Sequence, residues 1–187
     1  LAAHPNSFAP SGDRILLSHE SSAEPVNFWV HEAASGRAKQ LTQTAIASLG
    51  SAAMPDAQIV HYKSFDGKTI SALLWMPFNL QRDSTNPALV LPHGGPTGQT
   101  KDFWSPDVAA LVSRGYICIA PNVRGSTGYG MAFQRANHQD LGGGDLQDAI
   151  YALNFLKDTG YVDPKKIGIT GGSYGGYMTL MAIAKTP

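Results

Sequence analysis

One cysteine, Cys118, is the whole thiol content of this chain, so no disulfide forms within it. It sits in the apolar run Tyr116-Ile117-Cys118-Ile119-Ala120 and reads as a buried thiol on a strand rather than a reactive one. No Cys/His cluster has the spacing of a zinc site, and no metal or other cofactor is expected. Charge is scarce, at 15% of residues, and balanced, with 14 basic against 14 acidic side chains. No basic stripe stands out, so nucleic-acid binding has no electrostatic support. No apolar run approaches the roughly 20 residues of a membrane-spanning helix. Residues 1–15 lack the charged-then-apolar layout of a secretory signal. A mature or excised fragment would lack one too, so the compartment stays open, with the cytoplasm favoured. What is present is core-forming material: 43% of 187 residues are hydrophobic, enough for one domain or slightly more.

The first fifty residues differ from the rest. Arg14-Ile15-Leu16-Leu17-Ser18, Val26-Asn27-Phe28-Trp29-Val30 and Ala38-Lys39-Gln40-Leu41-Thr42 read as short strands. Turn signals at Pro10-Ser11-Gly12-Asp13 and Ser35-Gly36-Arg37 separate them, with no helix between, which predicts a meander. Its size is that of one propeller blade, a unit that buries its faces only against neighbours. The Ala/Ser-rich residues 43–56 read as a connection. Beyond about residue 58 a hairpin is expected around Asp66-Gly67. Then strands and helices alternate: a strand at 88–91, a helix opened by Ser105-Pro106-Asp107, a strand at 116–120, a helix from Asp145 to Gly160, and a strand at 167–170. This order predicts an α/β fold, a mostly parallel sheet with helices on both faces.

The chemistry concentrates in Gly171-Gly172-Ser173-Tyr174-Gly175-Gly176, which contains G-x-S-x-G between a strand and the apolar helical run from Tyr177 to Ala184. That context distinguishes a nucleophile elbow from a plain glycine-rich turn. A serine hydroxyl is a weak nucleophile unless held accessible and next to a base. The elbow supplies the position, and glycine is needed two residues either side because a β-carbon there would collide with strand or helix. The glycines do not fall as G-x-G-x-x-G, and no Lys-Ser/Thr pair closes them, so dinucleotide and P-loop readings fit poorly. Ser173 is the candidate nucleophile and the Tyr174 N–H a candidate oxyanion donor. The turn His93-Gly94-Gly95-Pro96 is where the second backbone donor is expected, with Gly95 the first choice and Gly94 the second. His93 reads as a loop-positioning residue, because the histidine of such triads comes last in chain order. His138, Asp140, Asp145 and Asp148 read as loop and first-turn helix residues, and Asp163-Pro164 as a turn.

Taken together, Asp66-Gly67, His93-Gly94-Gly95-Pro96, Asn122-Val123-Arg124-Gly125-Ser126-Thr127-Gly128-Tyr129-Gly130, Tyr161-Val162-Asp163-Pro164 and Gly171 to Met178 resemble the prolyl oligopeptidase family of serine peptidases, nearest its acylaminoacyl and dipeptidyl peptidase branches. The resemblance is strong over residues 58–187 and weak over 10–42. It implies an α/β-hydrolase domain joined to a β-propeller that restricts access to short peptides. Residues 1–54 would be a blade remnant with its linker. Residues 55–187 would be the N-terminal portion of the catalytic domain. The resemblance further implies an acyl-enzyme on Ser173, with Tyr174 N–H as an oxyanion donor. Some members place a tyrosine hydroxyl in the oxyanion site from the loop that here carries His93, and its absence favours a backbone donor at Gly95, as in acylaminoacyl peptidases.

In the family the triad Asp and His follow the elbow by more than the eleven residues found here, so this chain alone is expected to be inactive. Its partners would be a short peptide and the remaining catalytic domain and propeller, in the same or a second chain. Two other readings carry over: an esterase-type α/β-hydrolase, and a non-catalytic interaction protein of the same fold.

Overall fold

A computed structural model describes residues 2–44 and 54–186. The chain divides into two compact units, Leu1–Asp56 with Asp102–Ala109, and Ala57–Lys101 with Ala110–Pro187. Most of the expected connection at 43–56 lies outside the described residues.

The first unit is an antiparallel meander of β1 (Ala2–Phe8), β2 (Arg14–Ser21), β3 (Glu24–Glu32) and β4 (Ala38–Gln40), paired in chain order. The expected turns form, with Gly12 and Gly36 both at positive φ. Strand β1 was not expected. It pairs with β2 through a register shift between Pro5 and Ser7, so its sequence never shows clean alternation. Asn27 is buried, and its Oδ1 accepts the Thr44 N–H (2.7 Å) and the Thr42 hydroxyl (3.1 Å). The Ser22 N–H donates to Asp102 within the same unit (2.7 Å). Most side chains of β2 are only half-buried.

The second unit is a five-stranded sheet in the order β5-β6-β8-β7-β9. The hairpin of β5 (Gln58–Lys63) and β6 (Thr69–Trp75) closes through Gly67 at φ +79°. Strand β6 runs antiparallel to β8 (Ile117–Asn122). Strands β8, β7 (Asn86–Val90) and β9 (Val162–Ile169) are mutually parallel. Every residue of β8 is buried, as a strand covered on both faces requires.

Helix α1 (Pro106–Ser113) starts at the expected proline, the Val108 N–H reaching Ser105 Oγ at 3.4 Å. A short helix α2 (Met131–Gln134) was not expected. Helices α3 (Gly144–Asp158) and α4 (Tyr174–Lys185) build one core with the sheet, including Ile70, Val90, Ile119, Leu146, Leu156 and Met178. The alternate residues Leu73, Trp75, Cys118 and Ala120 are also buried, so the central strands β6 and β8 are covered on both faces.

Strand β9 corrects the turn assigned to Asp163-Pro164. Both residues lie inside the strand, at a register irregularity: Asn86 pairs with Val162, but Ala88 pairs with Ile167. Turn chemistry persists there, because Asp163 Oδ1 accepts the Lys165 N–H at 2.9 Å. From β7 the chain goes out to β8 on one side and returns to β9 on the other. The C-terminal ends of β7 and β9 therefore lie side by side, at a point where open α/β sheets form binding crevices.

Candidate active site

The elbow joins β9 to α4, and its backbone is strained at the residue the motif nominates. Ser173 has φ +53° and ψ −123°, a conformation an L-residue adopts only when its surroundings impose it. A β-carbon on Gly175 would stand 2.1 Å from the Pro92 carbonyl oxygen, and one on Gly171 2.6 Å from the same atom. Gly172 has open space around it. The spacing of the outer glycines in G-x-S-x-G is thus a steric requirement set by the end of β7, while the first x position, Gly172, is open. The Ser173 side chain is exposed, and its Oγ makes no hydrogen bond among the described residues.

The His93-Gly94-Gly95-Pro96 turn follows β7 and faces the elbow. A β-carbon on Gly94 would lie 3.3 Å from Ser173 Cβ and 3.7 Å from its Oγ. Gly95 has φ +137°, and a side chain there would meet the Thr97 nitrogen at 2.6 Å. His93 stands within hydrogen-bond distance of the Gly94 carbonyl through Nδ1 (2.7 Å) and of Ser126 Oγ through Nε2 (2.8 Å). Burial pushes its pKa down, and the bond to Gly94 only partly offsets this, so the neutral ring dominates at pH 7. A carbonyl only accepts, so the proton resides on Nδ1. Nε2 is then an acceptor, and it shares the single proton of the Ser126 hydroxyl with the Val123 carbonyl at 2.6 Å. Gly94 C=O and Gly95 N–H belong to one trans peptide unit and point in opposite directions. Fixing the carbonyl on His93 therefore fixes where the Gly95 N–H points. That N–H and the Tyr174 N–H have no acceptor among the described residues.

Two acids read from sequence as first-turn helix residues do more than face a dipole. Asp145 and Asp148 are both fully buried. Asp148 takes Arg124 in a fork, Nε at 2.9 Å and Nη2 at 2.8 Å, together with the Arg124 backbone N–H at 2.8 Å and the Ser64 hydroxyl. The same guanidinium reaches Asp66 through both terminal nitrogens at 3.1 Å and lies 4.7 Å from the Phe65 ring centre. This holds the first hairpin, the Asn122–Gly130 loop and α3 together. The Arg124 hydrogen bonds hold the Asp66 carboxyl below its usual range. Asp145 accepts the Gly142 N–H (2.9 Å) and the Tyr174 hydroxyl. Asp140 caps α3 through the Gly144 N–H (2.8 Å), in line with its loop reading. The only sequence signal for the two hubs was a pair of acids one helical turn apart, with an arginine upstream. Cys118 is buried, its thiol pushed up to about 12 by desolvation, and it takes no part.

Residues 103–187 match the family described as the prolyl oligopeptidase family. Over this stretch, a little under half of the chain, the sequence is similar to that family of serine peptidases. An uncharacterized peptidase, YuxL, of Bacillus subtilis is 34% identical over 128 residues, which cover 68% of this chain and 20% of that protein. Dipeptidyl aminopeptidase BIII of Pseudoxanthomonas mexicana is 28% identical over 92% of this chain and 26% of its own length. The solved acylaminoacyl peptidase of Pyrococcus horikoshii superposes with a TM-score of 0.82 at 26% identity, covering 98% of this chain and 29% of that one. The chain thus spans between 13% and 26% of the length of these and similar curated relatives. No helix among the described residues is long and apolar enough to cross a membrane.

Proposed function

We propose that Ser173 is the nucleophile of a serine peptidase that hydrolyses short peptides in the manner of acylaminoacyl or dipeptidyl peptidases. The observation that carries this is the exposed Ser173 held at φ +53°, at a turn whose flanking glycines leave no room for a side chain. In the reaction Ser173 Oγ attacks the scissile carbonyl carbon and gives up its proton to a general base. The carbonyl oxygen becomes an oxyanion, accepted by the N–H groups of Tyr174 and Gly95. The intermediate collapses, the C–N bond breaks and the amine leaves with a proton. Water then hydrolyses the acyl-enzyme by the same steps in reverse roles.

None of the six histidines is hydrogen-bonded to Ser173 among the described residues. The reading therefore assigns the base and its acid to further polypeptide that extends the sheet at β9. Two features support a neighbour there. Strand β9 is the edge of the described sheet. Beside it lies an apolar groove of about 380 Å³ lined by Ile150, Leu153, Ile167, Ile169 and Ile183 among others. Residues 1–54 are, on this view, part of a propeller blade with its linker, and 55–187 the start of the catalytic domain.

A fluorophosphonate offered to the full-length protein should label Ser173, and S173A should abolish labelling. The 187-residue chain alone should label little. Strong labelling of that chain would place the base within it, and an inert full-length protein would overturn the peptidase reading.

A further inference from the structure

We propose that Asp145 is a positioning residue for the oxyanion site, acting through the Tyr174 side chain on the Tyr174 backbone N–H. The proposal rests on the serine-peptidase reading above and adds a residue to it. Tyr174 is the first residue of α4 and directly follows the nucleophile. Its backbone N–H is one of the two donors assigned to the oxyanion, and its phenol donates to Asp145 Oδ2, 29 positions earlier. Side chain and N–H belong to one residue, so anchoring the phenol restricts rotation of the first turn of α4, and with it the direction of that N–H.

The anchor is built for this. Asp145 is fully buried and forms no salt bridge among the described residues. Its carboxylate is met by hydrogen-bond donors, the Tyr174 hydroxyl, the Gly142 N–H, the Leu146 N–H (2.8 Å) and the Asn137 amide (3.4 Å). Hydrogen bonds to an ionised, desolvated acceptor are shorter and stronger than neutral ones. Burial, then the bond to Asp145, pushes the Tyr174 pKa up, so the phenol keeps the proton it donates. Two further side chains of α4 grip the same turn from outside. The Tyr177 hydroxyl reaches the Leu141 carbonyl at 3.1 Å, and Lys185 Nζ reaches the Gly142 carbonyl at 2.9 Å. A β-carbon on Gly142 would meet the Tyr177 hydroxyl at 2.5 Å, so the turn is shaped to receive this helix. Of the three grips, the one at Asp145 ends on a fully buried carboxylate and acts on the residue next to Ser173.

The test uses the full-length protein with an activated ester, whose burst amplitude counts competent sites and whose burst rate reports acylation. Y174F removes the donor, D145A removes the acceptor, and D145N keeps an oxygen acceptor of the same size without the charge. Y174F and D145A should each slow acylation per titrated site about 10- to 100-fold, the scale of a small misplacement of a reacting group. The substrate concentration giving half the maximal acylation rate should hold near the wild-type value, D145N should fall between, and the Y174F/D145A double variant should be no slower than either single one. A loss confined to burst amplitude or melting temperature, with the rate per site unchanged, would make the contact merely structural and overturn the proposal. Multiplying losses in the double variant would do the same. A wild-type protein that neither acylates nor turns the ester over removes the peptidase reading, and this role with it, whereas wild-type acylation with unaltered variants removes this role alone.

Discussion

Gly175 offers the sharpest test of the elbow, because its substitution separates sterics from every other property of glycine. In Gly175→Ala the new β-carbon would lie 2.1 Å from the Pro92 carbonyl oxygen, 3.0 Å from its carbon and 3.3 Å from the His93 oxygen. Gly175 has no positive φ and sits inside α4, so alanine is conformationally welcome there and gains up to about 1 kcal/mol of helix propensity. The clash opposes that gain. All three opposing atoms are backbone, and none can rotate away, so α4 or the end of β7 must retreat by roughly 1 Å, in an interior packed too tightly to absorb it. Overpacking of this kind costs about 1–3 kcal/mol. The movement also separates Ser173 from the Gly94-Gly95 turn, and a misplacement near 1 Å is worth about 100-fold in rate. Gly172→Ala is the internal control, since no atom lies within 4 Å of the point its β-carbon would occupy. It should stay within about 0.5 kcal/mol of wild type. Both variants are to be made in the full-length protein, with the fluorophosphonate labelling rate and the thermal midpoint measured side by side. A Gly175→Ala protein that labels and melts like wild type would show that the spacing of the motif is not steric. It would also remove the main support for the elbow geometry.

Arg124→Met should cost about 3–5 kcal/mol in denaturant unfolding, because it strands the fully buried Asp148 without its cation. A loss of about 1 kcal/mol or less, the worth of a surface ion pair, would refute the buried-hub description. Asp66 has a folded pKa held below 3.8, chiefly by its hydrogen bond to Arg124. Its contribution is therefore present above the unfolded carboxylate pKa and is lost as pH falls through the folded value. D66N should flatten the acid limb of the stability–pH curve below about pH 4, and an unchanged limb would refute the assignment. Cys118, buried with its thiol pushed up to about 12, should resist iodoacetamide at pH 8 in the native protein and react only on unfolding.

The elbow, the hairpin at Asp66-Gly67 and the alternation of strands and helices were legible because each rests on constraints within a few residues. A tight turn needs positive φ, and a strand-to-helix turn needs missing β-carbons. Glycine positions report both directly, so Gly67, Gly171 and Gly175 could be read without knowing what lies opposite them. The illegible parts depend on partners far along the chain. Nothing near Asp148 indicates that Arg124, 24 residues earlier, folds onto it, and a local rule therefore assigned it to the helix dipole. Asp145 does stand in the first turn of α3 as read, but its phenolic partner lies 29 residues later and left no local signal. Asp163-Pro164 does carry turn chemistry, yet pairing with β7 on either side draws it into β9. The strand is fixed by the neighbour and the irregularity by the local residues. His93 is the instructive intermediate. Chain order alone removed it from the role of base and left it a loop residue, but only the distances to the Gly94 carbonyl and to Ser126 give that role a mechanism. The proposed nucleophile is thus written in local sequence, whereas the groups proposed to aim the donors around it come from side chains brought together by the sheet. Substitutions at His93, Asp145 and Arg124 are therefore expected to change how well the site works without changing which atom attacks.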